Sequence, residues 1–367
     1  MRIVFLLPVS SQPRYHKRVQ SLVKLGVDAI VCAFERAYYS GMPWPQGYRS
    51  LGSIKHGDYW RRLVPLAKAM PVVRAEVARA DAIYAFGLDM LLLGWLASAT
   101  VRRQVKIVYE IGDIRDVFLG DGPTSCIMRW LERSLIRHAR LVVVTSPGYI
   151  TGYFHGVQRL EGQRFLVIEN KLDASLALPR RGKTRAGRSG LCIGYFGVIR
   201  CRRSWEILKR AAQVAQGRVR VYVRGVLLGL GDLESEMRQA EYVEYGGPYA
   251  APTDLPAMYE RIDLVWACYP YQTSHIGNWR WARTNRFYEA CYFATPMVAQ
   301  AGTEDGLVVE AQELGVTLDM SDIDTAVARI VAIQDDELAS WGRNLERLPP
   351  HAYLYTDEHV RLLEAVR

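Results

Sequence analysis

The segment "IGYFGVIRCRRSWEIL" (residues 193–208) decides the expected fold. It begins with bulky apolar residues, which are typical of a buried strand, and it ends with apolar residues at helical spacing. Two glycines and three arginines lie in it: Gly194, Gly197, Arg200, Arg202 and Arg203. We therefore expect a strand, a tight glycine turn and a helix, which together form the repeating unit of parallel α/β architecture.

The same alternation extends through most of the chain. Strand-length apolar runs occur at residues 2–9, 27–34, 81–87, 106–112, 141–146 and 165–170, and again at 191–197, 218–225, 242–247, 264–270 and 296–300. Helical patterns separate many of these runs, as at 14–26 and 203–216. The sequence thus predicts two successive Rossmann-like, doubly wound domains that face a central cleft.

The alternation fails over residues 173–189, which are rich in Arg, Lys, Gly and Ser. Such a composition is typical of a linker. We predict an N-terminal domain over residues 1–175, a basic linker over 176–189 and a C-terminal domain over 190–350. Residues 351–367 read as a helix that would cross back onto the N-terminal domain.

Composition and charge narrow the classes of partner. The chain has 367 residues, is 50% hydrophobic and carries a formal net charge of +9, which suits nucleic acid, an anionic membrane surface or phosphorylated substrates. No zinc-finger, RNA-recognition or basic-zipper signature accompanies the charge, so nucleic acid is the weakest of these predictions. The scattered cysteines predict reduced core residues of a cytosolic protein, and the lack of a His/Cys cluster predicts a reaction without a bound metal.

The segment "RTNRFYEACYFATPMVAQAG" (residues 283–302) predicts a short helix and a buried strand. The apolar positions of the helix share one stripe, and Asn285, Arg286 and Glu289 fall outside it, close to one another. Taken alone, Arg286 and Glu289 are a surface ion pair of an amphipathic helix. Next to a strand end, they instead suit a nucleoside diphosphate, with Arg286 on phosphate and Glu289 on ribose hydroxyls.

Three junctions between a strand and a helix carry such cations, and together they favour a diphosphate ligand over surface decoration. The first has Gly197, Arg200 and Arg203, the second has Arg224, and the third has Arg286. A helix N-terminus already attracts anions, and guanidinium groups strengthen that attraction. The predicted donor-binding residues are Gly197, Arg200, Arg203, Arg224, Asn285, Arg286 and Glu289.

Several segments, in this order, resemble the GT-B glycosyltransferases, specifically the succinoglycan-type enzymes of bacterial exopolysaccharide biosynthesis. They are "QPRYHKRVQSLVKLG", "VYEIGDIRD", "LERSLIRHARLVVVTSPGYI", "VIENK", "IGYFGVIRCRRS" and "NRFYEACYFATPMVA". The resemblance implies a nucleotide-sugar donor on the C-terminal domain and an acceptor on the N-terminal domain. It also implies that Glu289 binds ribose and that cations near Arg200 and Arg286 meet the diphosphate. Many retaining relatives carry a second glutamate where this chain has Trp281, so the motif is half present and inversion is favoured.

The segment "VYEIGDIRDVFLGDG" (residues 108–122) follows a strand and offers carboxylates at its end. An inverting transfer needs a base to deprotonate the acceptor hydroxyl, for which Asp113 is the first candidate and Asp116 the second. The alternatives are that Asp113 caps the next helix or pairs with Arg115. His16 is either a contact of the donor or acceptor or a solvent-exposed residue in the first turn of a helix.

Residues 55–74 interleave cations with aromatic and aliphatic side chains. The patch Tyr59, Trp60, Arg61 and Arg62 suits an anionic membrane, and the alternative is a helix packed on its own domain. We predict a cytoplasmic enzyme, peripheral on the inner face of the membrane, that extends a polyprenyl-diphosphate-linked glycan for exopolysaccharide. A nucleotide-sugar epimerase and a non-catalytic nucleotide-sugar-binding protein remain alternatives.

Overall fold

The computed structural model describes residues 1–35, 44, 47–54, 62–179, 190–229, 231–274 and 276–367. Within these residues the chain divides into two compact units. Unit 1 comprises Met1–Glu169 and Asp357–Arg367, and unit 2 comprises Asn170–Thr356. No described helix is long and apolar enough to cross a membrane.

Strands and helices alternate along the described chain. The strands are β1 (Arg2–Leu7), β2 (Asp28–Glu35), β3 (Tyr48–Ser53), β4 (Ala82–Phe86), β5 (Lys106–Ile111), β6 (Leu141–Val144), β7 (Phe165–Val167), β8 (Leu191–Ile199), β9 (Val219–Leu227), β10 (Val243–Tyr245), β11 (Leu264–Trp266), β12 (Met297–Gln300) and β13 (Gly315–Leu318). The helices are α1 (Pro13–Lys24), α2 (Leu63–Val77), α3 (Leu88–Ala99), α4 (Pro123–Ile136), α5 (Arg202–Val214), α6 (Leu233–Gln239), α7 (Leu255–Glu260), α8 (Asn278–Trp281), α9 (Asn285–Tyr292), α10 (Glu304–Ala311), α11 (Ile323–Val331), α12 (Asp335–Glu346) and α13 (Glu358–Val366). A π-helix spans Tyr149–Val157, and short 3₁₀ helices span Asp116–Phe118, Ala174–Leu176 and Pro350–Ala352.

Each unit contains one parallel sheet. The seven strands of unit 1 have the order β3-β2-β1-β4-β5-β6-β7, and the six strands of unit 2 have the order β10-β9-β8-β11-β12-β13. The strand order reverses beside β1 in unit 1 and beside β8 in unit 2. Doubly wound sheets bind ligands at the carboxyl ends of the strands near such a reversal, which directs attention to the carboxyl edge of each sheet.

The strands read as continuous apolar runs because helices cover both faces of a parallel sheet. In β6 all four residues of Leu141–Val144 are fully buried. In α5 the residues at helical spacing, Ile207, Leu208 and Ala211, are buried against the sheet of unit 2. The predicted α/β architecture follows from this pattern.

The structure differs from the expected glycine turn at residues 194–197. Strand β8 continues through both glycines to Ile199, paired with β9 along its whole length. Gly194 lies inside the strand, where a Cβ would stand 2.5 Å from the Phe196 ring. Helix α5 starts at Arg202, with the Cys201 sulfur accepting a hydrogen bond from the Ser204 amide at 3.3 Å.

The boundary between the units precedes the predicted end of the first domain. Residues from Asn170 belong to unit 2, where Leu172 forms a bridge with Leu354. Most of the predicted linker, residues 180–189, lies outside the described residues. Its described beginning is held in unit 2, because Tyr292 donates a hydrogen bond to the Leu178 carbonyl at 2.6 Å.

Helix α13 belongs to unit 1 and packs on α1. Arg18 of α1 bonds Glu110 of β5 through Nε at 3.0 Å and His359 of α13 through Nη1 at 3.0 Å. Tyr84 donates a further hydrogen bond to Glu110 at 2.5 Å. Glu110 is the buried centre of this cluster.

Candidate functional site

Arg286 lies at the carboxyl end of the sheet in unit 2, in the first turn of α9. Its Nη1 donates a hydrogen bond to the Phe196 carbonyl of β8 at 3.3 Å. Its Nε is buried and has no hydrogen-bond partner among the described residues. A guanidinium held at one nitrogen, with another desolvated and unpaired, is suited to an anionic ligand.

The space for Arg286 depends on Gly197. This residue has φ +106°, which a residue with a side chain rarely adopts, and a Cβ there would lie 3.1 Å from Arg286 Nη1. Across the ladder stands Gly225, whose Cβ would meet the Gly197 carbonyl at 1.8 Å. Two paired glycines therefore let β8, β9 and the arginine approach one another.

Glu289 lies one turn beyond Arg286 and is only 8% exposed. Its Oε2 accepts a hydrogen bond from the Tyr259 hydroxyl at 2.9 Å. Burial raises the pKa of Glu289 above its usual value, while the Tyr259 hydrogen bond and the Arg286 charge act in the opposite direction. The interpretation of Glu289 as a surface residue in an ion pair is therefore wrong.

The start of α9 is fixed by a residue that the sequence analysis did not single out, Asp305 of α10. Asp305 is buried, and its Oδ2 accepts a hydrogen bond from the Thr284 amide at 2.9 Å. The Arg283 Nε stands 3.4 Å from the other oxygen. Burial raises the pKa of Asp305 to about 6, although Arg283 lowers it. The sequence feature that points to Asp305 is its position in the first turn of the helix that follows β12.

The remaining predicted donor residues are held in different ways. Arg200 and Asn285 are exposed, and Asn285 accepts a hydrogen bond from the Asn170 side chain at 2.8 Å. Arg203 lies over the Tyr271 ring at 5.1 Å. Arg224 uses all three guanidinium nitrogens on the Gly247 carbonyl, the Tyr222 hydroxyl and the Pro248 carbonyl, at 3.1, 3.1 and 2.7 Å. Arg224 thus holds the loop after β10 in place through hydrogen bonds to its carbonyl groups.

Asp113 and Asp116 lie beyond the carboxyl end of β5 in unit 1, and both are exposed, as is Arg115. Arg115 occupies the N-cap position of the 3₁₀ helix Asp116–Phe118, so Asp113 does not cap it. The exposure of both carboxylates leaves them accessible to a substrate.

Arg14 of α1 is a neighbour of Asp113 that the sequence analysis missed. Its guanidinium lies on Gly112, where a Cβ would stand 1.9 Å from Nη1, and its Nε is buried without a partner among the described residues. Burial lowers the pKa of Arg14, but Tyr15, Asp113 and Glu110 outweigh this effect and raise it. The carboxyl end of β5 therefore carries both a cation and carboxylates.

His16 is 2% exposed, so the alternative of a solvent-exposed helix residue is wrong. Its Nε2 lies 3.1 Å from the Ser10 carbonyl, and its ring stacks on Trp44 with centroids 3.7 Å apart. Its Nδ1 has no hydrogen-bond partner among the described residues. Burial lowers the pKa of His16, which favours the neutral imidazole.

Part of the predicted membrane patch is wrong. Arg62 is 2% exposed and its Nη1 contacts the Asp89 carboxylate at 2.6 Å. Its charge is therefore neutralised by a buried ion pair with α3 inside unit 1. The other members, Tyr59, Trp60 and Arg61, lie outside the described residues.

Among the described residues, no three His, Cys, Asp or Glu side chains are grouped as they would be around a metal ion. Asp322 and Asp324 have the spacing of an Asp-x-Asp motif. Asp322, however, caps α11 by accepting a hydrogen bond from the Thr325 amide at 3.1 Å.

Known proteins resemble the chain over nearly its full length, although no family model matches it. It is 25% identical over 370 residues to the succinoglycan biosynthesis protein ExoL of Rhizobium meliloti (strain 1021), covering 97% of this chain and 90% of that protein. The structure of Anabaena Alr3699/HepE in complex with UDP has a TM-score of 0.69 and 20% identity, covering 100% and 99% of the two chains. Sucrose-phosphate synthase from Thermosynechococcus elongatus has a TM-score of 0.68 and 14% identity, covering 99% and 98%. The predicted fold is confirmed: the chain has the two Rossmann-like domains of the GT-B glycosyltransferases, and in sequence it is similar to a protein of exopolysaccharide biosynthesis.

Proposed function

We propose that the chain is a GT-B glycosyltransferase that moves a sugar from a nucleoside-diphosphate donor to an acceptor in exopolysaccharide biosynthesis. The sequence similarity to a succinoglycan biosynthesis protein and the shared fold support this class of activity. The observation that carries the proposal is Arg286, which has a buried, unpaired Nε at the carboxyl end of β8.

The donor would bind unit 2 through its diphosphate and ribose. A phosphate oxygen at Arg286 would satisfy the buried Nε and also interact favourably with the first turn of α9. Glu289, with Oε2 held by Tyr259, would offer Oε1 to a ribose hydroxyl. Arg200 and Arg203 would stabilise the negative charge of the departing diphosphate, and we assign no step to a metal ion.

The nucleotide is proposed to be UDP, since the structurally similar HepE has been crystallised with UDP. The test is thermal unfolding with UDP, ADP and GDP, because a ligand that binds only the native state raises the unfolding temperature. We expect Arg286→Ala to abolish most of the UDP-dependent shift, whereas the exposed Arg343→Ala in the same unit preserves it. Equal shifts in both variants would contradict the assignment of the site.

The acceptor side is proposed to use Asp113 as the base of an inverting transfer, with Asp116 in support. Its exposure beyond β5 leaves it accessible to an acceptor hydroxyl, and the Arg14 guanidinium lies nearby. Asp113→Asn keeps the shape of the side chain but cannot accept a proton, so turnover should fall by about two to four orders of magnitude with donor binding intact. NMR of the product's anomeric configuration is the independent check. A retained configuration would contradict the role of Asp113, while donor turnover without an acceptor would indicate an epimerase instead.

The acceptor itself is proposed to be a polyprenyl-diphosphate-linked glycan at the cytoplasmic face of the membrane. The net charge of +9 supports contact with anionic lipid and with a diphosphate-linked acceptor. A chromatographic assay with a short-chain polyprenyl-diphosphate glycan would detect the extended product. Transfer only to free sugars would contradict this acceptor class.

A further inference from the structure

Helix α4 exposes large apolar side chains on its outer face. Trp130 is 65% exposed and Ile127 is 52% exposed. Ser134 and Arg137 fall at helical spacing from Trp130 and so share its face. The opposite face is buried in unit 1 through Met128, Glu132 and Leu135 among others.

The outer face of α4 is also free of negative charge. Residues 122–140 contain four arginines and one acidic residue, Glu132. Glu132 is completely buried and accepts hydrogen bonds from the Tyr109 hydroxyl at 2.7 Å and from Gln158 Nε2 at 2.6 Å. Arg137, by contrast, is exposed beside the apolar residues. The helix therefore combines an exposed tryptophan with an exposed arginine near its end.

The sheet topology brings a second apolar feature to the same side of unit 1. The connections from β3 to β4, β4 to β5 and β5 to β6 all step in one direction, so right-handed crossovers put α2, α3 and α4 on one face. Each of these helices begins at the carboxyl edge of the sheet. The first turn of α2 exposes Leu63 and Val64 there, the latter by 61%. Asp113 lies at this same edge.

We propose that the α4 surface, defined as Ile127, Trp130 and Arg137 with Leu63 and Val64 of α2, docks unit 1 on an anionic lipid bilayer. Tryptophan is favoured at the interface between water and hydrocarbon, aliphatic side chains enter it, and arginines attract anionic headgroups. This charge pattern favours lipid over a second copy of the chain, which also carries excess positive charge. The inference rests on the proposed function for its purpose, because it brings the edge that carries Asp113 to a lipid-linked acceptor.

The test is co-sedimentation of the full chain with phosphatidylcholine vesicles that contain about 30 mol% phosphatidylglycerol, compared with vesicles of phosphatidylcholine alone. We expect Ile127→Ser with Trp130→Ser, and separately Arg137→Glu, to weaken binding by about tenfold or more. The matched control is Val214→Ser with Leu307→Ser in unit 2, where both residues are similarly exposed, and Arg343→Glu controls for charge. These controls should bind like the unaltered chain.

Three outcomes would overturn the proposal. One is unchanged vesicle binding of the Ile127/Trp130 double variant, and another is equal binding of the unaltered chain to neutral vesicles. The third is a dimer, measured by analytical ultracentrifugation, that this double variant loses, since the surface would then bind a second copy. Thermal stabilisation by UDP depends on unit 2. If UDP still stabilises the chain while vesicle binding fails, the docking surface is wrong and the proposed donor site stands.

Discussion

Glu289 and Arg286 are one helical turn apart, yet their environments differ. Arg286 retains an unpaired buried nitrogen, whereas Glu289 has one oxygen fixed by Tyr259. The fixed oxygen orients the carboxyl group. Substitutions of Glu289 by alanine and by glutamine can therefore separate the effect of side-chain shape from that of charge.

We expect Glu289→Ala to weaken donor binding by roughly 1–3 kcal/mol, because it would leave buried hydroxyl groups without partners. Glu289→Gln should lose less, since its amide keeps an oxygen for Tyr259. Isothermal titration calorimetry with the donor measures both. If a folded Glu289→Ala protein binds donor normally, Glu289 only supports Tyr259.

Asp305 should give the stability of unit 2 a distinctive pH dependence. Its folded pKa of about 6 lies above the unfolded value of 3.8, so the folded state binds more protons between these values. The stability contributed by Asp305 is therefore present at low pH and lost as pH rises through 6.

Urea unfolding of the unaltered chain and of Asp305→Asn between pH 4 and pH 7 measures this contribution. The difference in free energy of unfolding should fall by roughly 2 kcal/mol as pH rises, because the asparagine does not titrate. A difference that grows with pH would mean that the Arg283 charge outweighs burial.

At the scale of elements, the sequence predicts most of the strands because buried parallel strands are continuous apolar runs. It misses the edge strands β3 and β13. The residues of β3, Tyr48–Ser53, are mostly exposed and polar, since an edge strand needs no apolar run. It also ends β8 too early at Gly197. Gly197 does not form a turn. Its lack of a side chain allows β8 and β9 to approach Arg286, which lies 89 residues further along the chain.

Long-range partners likewise decide the sites that were mispredicted. Arg62 reads as a surface cation because its partner, Asp89, is on another helix. Arg14 is missed because its contact with Gly112 joins the start of α1 to the end of β5, two strands from β1 in the sheet. Residue type and spacing identify Arg286 and Glu289, whereas burial and pairing require the fold.

Gly197→Ala tests whether the close packing of β8 against α9 is needed for the donor. The substitution strains a backbone with φ +106° and presses on Arg286, so donor affinity should fall by about tenfold. Thermal unfolding without ligand monitors the loss of stability, of about 1–2 kcal/mol. The control is Gly229→Ala, which also has positive φ, +71°, but has open space around its Cβ position. Equal loss of donor affinity in the two variants would argue against the proposed role of Gly197.

At the scale of the whole molecule, α13 completes unit 1 through Arg18 and His359. Burial and the Arg18 charge lower the pKa of His359 to about 4, below the usual 6.5. The folded state thus binds fewer protons between these values. This contribution to stability is present above pH 6.5 and is lost as pH falls towards 4.

His359→Gln should remove this dependence, because the amide can accept the Arg18 hydrogen bond without titrating. Relative to the variant, the unaltered chain should lose roughly 3 kcal/mol of unfolding free energy between pH 7 and pH 4. Urea unfolding monitored by a probe in unit 1 is the measurement. Parallel stability curves for the two proteins would contradict a neutral, buried His359.

The division of the chain has a consequence for its synthesis. Unit 2 is one continuous stretch, Asn170–Thr356, and it leaves the ribosome before α13 does. Arg18 must wait for His359, 341 positions later, so the unit that starts first is finished last. At about 5–20 residues per second, the roughly 190 residues after Glu169 delay α13 by about 10–40 s. During that interval the surface of α1 that α13 covers is open to chaperones, and unit 2 is free to fold ahead of it.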